Sequence, residues 1–195
     1  MIKKKGIFSV FFSKIHHSFT KAVWKIMFYD LLKEGSRKEV ARANEVAAQI
    51  LDTPPLIDSL LDCLCTGDET VRAHAAHALM QVGKQQADIL HPVHSRLLKE
   101  IAPIQQWEVQ EQLMKVLPLI DTSDQVVQLA KRNLSHKSAI VRTCALQALF
   151  DLVQRIPNRF NEVMHILQDC QNVHAPKSLQ ARARKLSAKM KDLKP

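Results

Sequence analysis

Two histidine pairs stand one helical turn apart, His74-x-x-His77 and His91-x-x-His94. Imidazoles at that spacing share a helix face and can share a metal ion. No carboxylate stands at ligand spacing with either pair, so no metal set is expected. Cys63-x-Cys65 is one residue short of the redox Cys-x-x-Cys spacing. With Cys144 and Cys170 these cysteines are expected to be reduced thiols used in packing, in a reducing compartment. Arg182, Arg184, Lys185, Lys189 and Lys191 form a cationic run near the C-terminal end. Phosphate contacts from such a run would give steep salt dependence, but no aromatic interleaves it to stack on bases.

The elements that would hold these groups are read from periodicity. Val71, Ala75, Ala78, Leu79 and Val82 fall on one face of a 3.6-residue period. Gly67-Asp68 is expected to open that helix. The same template recurs as Val109, Leu113, Val116, Leu117 and Ile120, and as Val141, Ala145, Ala148, Leu149 and Leu152. Two further placements carry one polar miss each: Leu179, Ala183, Leu186, Ser187 and Met190; and Val40, Asn44, Ala47, Ala48 and Leu51. The five starts are separated by 31, 38, 32 and 38 residues. A shorter apolar helix precedes each template, over 20–33, 55–65, 87–101, 123–134 and 159–171. One helix pair cannot bury its apolar face alone, and stacked pairs can.

Gly67-Asp68-x-x-Val71-Arg72-x-x-Ala75-x-x-Ala78-Leu79 and Ser138-x-x-Val141-Arg142-x-x-Ala145-x-x-Ala148-Leu149 resemble the second helix of a HEAT repeat. Gln110 and Gln180 stand where these two units carry arginine, and Ala41 does so in the first unit. The resemblance covers roughly residues 36–193. It implies an all-α, right-handed α-solenoid of about five HEAT-like helix pairs. It also implies a habit of binding other macromolecules; with no clustered acid, base or metal set in the sequence, a non-enzymatic scaffold or adaptor whose partner is another protein, without cofactor or metal, is expected. Arg72 and Arg142 would then form a ladder with acids such as Asp68. The outward positions of the second helices are the expected partner contacts: Arg72, His77, Met80, Gln81, Gln110, Lys115, Arg142 and Gln147. Phycobilin-lyase-type repeat proteins are similar at the level of fold.

Two enzymatic families on similar repeats are also weighed. Deoxyhypusine hydroxylase holds iron with His-Glu dipeptides, and this sequence has none. Trp107, Glu111 and Arg142 resemble the aromatic, acidic and basic residues of HEAT-like DNA glycosylases, but the middle of the chain lacks a broad cationic surface.

The net charge is +9, and it is gathered at the ends. Residues 1–35 carry +5, residues 175–195 carry +6, and the middle carries −2. Basic ends attract nucleic acid, anionic lipid or acidic protein. The competing expectation is therefore peripheral membrane or nucleic-acid binding, with anion or lipid contacts from Lys14, Lys21, Lys25, Arg182, Arg184, Lys185 and Lys189. Phe8, Phe11, Phe12, Ile15 and Phe19 make an apolar helical stripe that the lysines avoid. Residues 1–35 are thus expected to form either a terminal cap or a surface-anchoring segment, and 36–195 the repeat array, in one domain with the cap. The run Ile7–Phe12 is too short to span a membrane or act as a secretory leader, so a cytoplasmic protein, or one peripheral to a membrane, is expected.

Turn signals complete the reading. Gly35 should end the first helix, and Ser36 with Glu39 has capping-box spacing for the next. Asp52-Thr-Pro-Pro55 should end a helix, Gly67 and Gly83 should mark two later ends, and Pro176 should sit in a first turn. Pro118 should kink or shorten its helix after Leu117.

Overall fold

The structure, a computed structural model, describes residues 22–193. These are helical, and no strand occurs among them. The chain divides into two compact units, the described residues up to Val82 and those from Gly83 on.

The first unit holds α1 (22–32), α2 (Ala43–Asp52), α3 (Ile57–Thr66) and most of α4 (Glu69–Gln85). Gly35 follows α1 with φ of 78°, where a side chain is strained and glycine is not. The Ser36–Glu39 signal is real but local. Glu39 Oε2 accepts from the Ser36 N–H at 3.2 Å, closing a turn that ends at Ala41 with a positive φ of 44°. The helix starts later, at Ala43. Of the expected face, Val40, Asn44 and Ala48 are therefore exposed, Leu51 is half-buried and only Ala47 is buried, together with Ala43, Val46 and Ile50.

Between α3 and α4 the chain turns within two residues. The Asp68 carboxylate accepts from the N–H groups of Thr70 and Val71, both at 2.9 Å, and so caps α4 as the Gly-Asp pair predicts. The turn is tight: a Cβ on Gly67 would lie 2.6 Å from the Cys63 carbonyl oxygen and 2.5 Å from Val71 Cγ1.

The second unit begins with the last turn of α4. Gly83 does not end that helix, which runs on to Gln85. It is a packing glycine, since a Cβ there would meet Leu90 at 2.9 Å and Val116 at 3.3 Å. The predicted helix 87–101 is broken around Pro92. A 3₁₀ turn (Ala87–Leu90) leads to the short α5 (His94–Arg96), which widens into a π-helical turn over Leu97–Ile101. Then come α6 (Trp107–Ile120), α7 (Asp124–Asn133), α8 (Ala139–Arg155), α9 (Phe160–Asp169) and α10 (Lys177–Asp192).

Helix α8 packs against α6, α7, α9 and α10 and is the centre of this unit. Pro118 does not stop α6, which continues to Ile120. Its own carbonyl accepts from Arg155 Nη1 at 2.5 Å. Pro176 stands at the N-cap of α10 rather than inside its first turn. All template residues of α4, α6 and α8 are buried; in α10 Ser187, the polar miss, is half-buried and the rest are buried.

Replacing Gly67 by alanine should force the α3–α4 turn to shift. We expect Gly67→Ala to lower stability by about 1–3 kcal/mol, the usual scale for overpacking, read as a lower urea midpoint with an unchanged slope.

Candidate functional site

The second residue of each later template is the best-defined polar feature. Arg72 donates from Nε to the Leu64 carbonyl at 3.2 Å and from Nη2 to the Cys65 carbonyl at 3.4 Å. Arg142 donates from Nη1 to the His136 carbonyl at 3.0 Å. Gln110 Nε2 donates to the carbonyls of Ala102 at 3.0 Å and Ile104 at 2.6 Å. Gln180 Nε2 does the same to Ala175 at 2.7 Å and Val173 at 3.4 Å. In each case a side chain at the start of a second helix satisfies carbonyls of the preceding helix end or of the connection that leads into its own helix. Such carbonyls lack intrahelical partners.

This corrects three expectations. Arg72 and Arg142 do not form a ladder with acids; Asp68 caps its own helix, and both arginines serve backbone. Gln110 is not an outward contact: it is 1% exposed, and its Oε1 accepts from the buried Asn133 Nδ2 at 2.8 Å. Met80, placed outward by periodicity, is 5% exposed.

The remaining expected contacts are half-buried. In the first unit Gln81 Nε2 and His77 Nε2 lie 3.2 Å apart, one turn along α4. In the second unit a polar strip crosses α6, α8 and α10. Lys115 Nζ donates to Glu111 at 2.6 Å and to Gln112 at 3.2 Å on α6. Gln147 on α8 accepts from Arg182 of α10 at 3.0 Å and donates to Asp151 at 2.7 Å. Burial pushes the Asp151 carboxyl up, against the pull of Gln147 and of the Lys189 and Arg182 cations. Burial also pushes up the Cys144 thiol, which lies within the fields of Lys115, Glu111, Arg182 and Lys84. Arg184 and Lys185 are exposed on α10. Lys25 is half-buried on α1, while Lys14 and Lys21 lie outside the described residues.

The histidine pairs do not converge. His74 is buried with Nδ1 2.7 Å from the Leu32 carbonyl and Nε2 3.0 Å from the Ser36 carbonyl. Carbonyls only accept, so a neutral ring bonds one of them and an imidazolium both; a ring held this way turns both nitrogens away from any metal. His91 faces Asp88 at 3.5 Å. His94 Nε2 donates to Asp121 Oδ2 at 2.6 Å, and Asp121 also accepts from the N–H and Oγ of Ser123, at 2.7 and 2.8 Å. Here the carboxylate sits between the other two, so the Ser123 hydroxyl donates to Asp121 and not to the imidazole. Among the described residues no cluster of three or more His, Cys, Asp or Glu could hold a metal ion.

The cysteines are free, and Cys63 is buried with its thiol pushed up to about 12 by that burial. Its Sγ donates to the Lys25 carbonyl at 3.6 Å. Of the glycosylase-like trio, Glu111 is paired with Lys115 and Arg142 with backbone.

Comparison with known proteins gave no match: no family model, curated protein or solved structure shows significant similarity to the chain.

Gln110→Leu should deprive the Ile104 carbonyl and Asn133 Nδ2 of the Gln110 bond, while Ala102 keeps Arg132 Nη2 as a donor at 3.3 Å. We expect a loss of about 1–3 kcal/mol, measured by urea unfolding. Asp121 gives a pH-dependent prediction. Burial alone would raise its carboxyl, but the Ser123 and His94 hydrogen bonds outweigh burial and hold it below the usual range. A lowered folded value contributes stability that is present above the unfolded pKa of about 3.9 and lost as pH falls through the folded one. Asp121→Asn should therefore be less stable than wild type at neutral pH, and the gap should close in acid below about pH 4.

Proposed function

We propose that the chain is a non-enzymatic, protein-binding scaffold of HEAT-like helical repeats, stacked as a right-handed α-solenoid of about five pairs and working in the cytoplasm. The shared template face of α4, α6, α8 and α10 supports the repeat reading. So does the shared donor at the start of each of these helices.

The observation that carries the binding reading is the strip around Gln147. It joins α8 to α10 through Arg182 and lies beside Cys144, in reach of Lys84, Lys115 and Glu111. Its cations are Lys84, Lys115, Arg182 and Lys189, and its acids are Glu111 and Asp151. A partner segment that matches this balance is acidic. Half-exposed charges on rigid helices give such a contact orientation and speed more than raw affinity.

The test is a pull-down from nuclease-treated source lysate with wild type and with Lys115→Glu plus Arg182→Glu. A stoichiometric protein should be retained by wild type, elute with salt, and fall at least about tenfold with the double variant, which exchanges two attractive for two repulsive charges. Equal recovery by both proteins would move the binding surface elsewhere; no stoichiometric protein at all would remove the scaffold reading.

A further inference from the structure

Helix α1 has two apolar faces. One packs: Phe28 and Leu32 are fully buried, Trp24 lies against Phe28 with ring centroids 5.8 Å apart, and the Leu32 carbonyl is held by His74. The other is bare. Val23 is 41% exposed, Ile26 62% and Met27 43%, three large apolar side chains at i, i+3 and i+4. Beside them is a recess of about 430 Å³ lined by Ala22, Lys25, Ile26, Tyr29, Asp30 and Thr66. Its one acid, Asp30, is paired with Lys33 at 2.6 Å.

In the sequence before α1 the apolar residues keep the periodicity of Val23 and Ile26 and not that of Phe28 and Leu32. Phe8, Phe11, Phe12, Ile15 and Phe19 share a helical phase with Val23 and Ile26; Phe8 and Ile26 are 18 residues apart, five turns of 3.6. Phe28 and Leu32 fall on the opposite side of that wheel. Residues 1–29 contain six lysines and no acid.

We propose that the exposed Val23–Ile26–Met27 face of α1, in a stretch of sequence rich in lysine and free of acid, binds an anionic phospholipid surface. A bilayer interface supplies both things this face calls for: an apolar layer for the exposed Val23, Ile26 and Met27 side chains, and phosphates for the lysines. Nucleic acid would answer the lysines and leave the aliphatic face in water. A second copy would cover the aliphatic face and bring two strongly cationic stretches together. Among the described residues no helix is long and apolar enough to cross a membrane.

The experiment is cosedimentation of the full chain with vesicles of phosphatidylcholine, with and without phosphatidylserine. Three proteins are compared: wild type, Ile26→Ser with Met27→Ser, and Lys21→Gln with Lys25→Gln. Wild type should bind the mixed vesicles and bind phosphatidylcholine alone at least about tenfold more weakly. The lysine variant should lose roughly fivefold per lysine. The serine variant should lose about tenfold or more while keeping the wild-type thermal midpoint, because both side chains are solvent-facing. No vesicle binding overturns the proposal. So does binding that the serine variant keeps in full, which is charge adsorption alone. Wild-type dimerisation in sedimentation velocity, lost in the serine variant and without vesicle binding, would assign the face to a second copy instead.

Discussion

A helix that ends inside a protein leaves carbonyls without partners, and burying them unpaired is costly. In this chain the remedy comes from the next helix. Arg72 reaches back across its turn to the last turn of α3, and Gln110, Arg142 and Gln180 to carbonyls of the connection just before their own helices. The bond fixes where the following helix begins relative to the one before. The template faces can bury their apolar residues only if that offset holds. Guanidinium and primary amide are interchangeable here because the requirement is an N–H donor on a side chain of sufficient length. Charge is not the requirement, since the acceptors are backbone carbonyls.

That equivalence explains what could be read in advance and what could not. The apolar faces of α4, α6, α8 and α10 were legible, because periodicity reports burial directly. The first placement, matched by period from Val40, is out of frame because the helix starts only at Ala43; Ser36 and Glu39 close a turn instead of opening a helix. The polar miss at Asn44 was the sign of a wrong frame, and a frame begun at Ala43 puts Ala43, Ala47 and Ile50 inside. Gln110 looked like a departure from an arginine position, although its shared place with Arg72, Arg142 and Gln180 was visible in the sequence. Met80 looked outward because a wheel marks one buried stripe, whereas α4 also buries Ala73, His74 and Ala76. Helix 87–101 failed for a covalent reason, the proline at 92.

The groups with reactive chemistry are largely committed to structure. Cys63 is kept as a thiol by burial, His74 is spent on two carbonyls, and His94 joins Asp121 and Ser123 before α7. Ion pairs add a second tie in the C-terminal unit: Glu162 on α9 accepts from Lys131 of α7 and from Arg159, which also meets Asp124. Lys131 and then Arg159 hold the Glu162 carboxyl below its usual range. These pairs are partly exposed, so each contributes only about 0–1 kcal/mol.

A donor that addresses backbone oxygen is indifferent to the side chains of the residues it holds. Every residue type has that oxygen, proline included. Pro103 lies between the two carbonyls that Gln110 binds, and Pro176 directly follows the Ala175 carbonyl that Gln180 binds. The connections are therefore free to drift in sequence and to differ in length, while the joint they form stays the same. Mutational tolerance in this protein should be high in the connections, apart from the tight turns at Gly35 and Gly67, and low at single polar positions that a hydropathy profile would pass over.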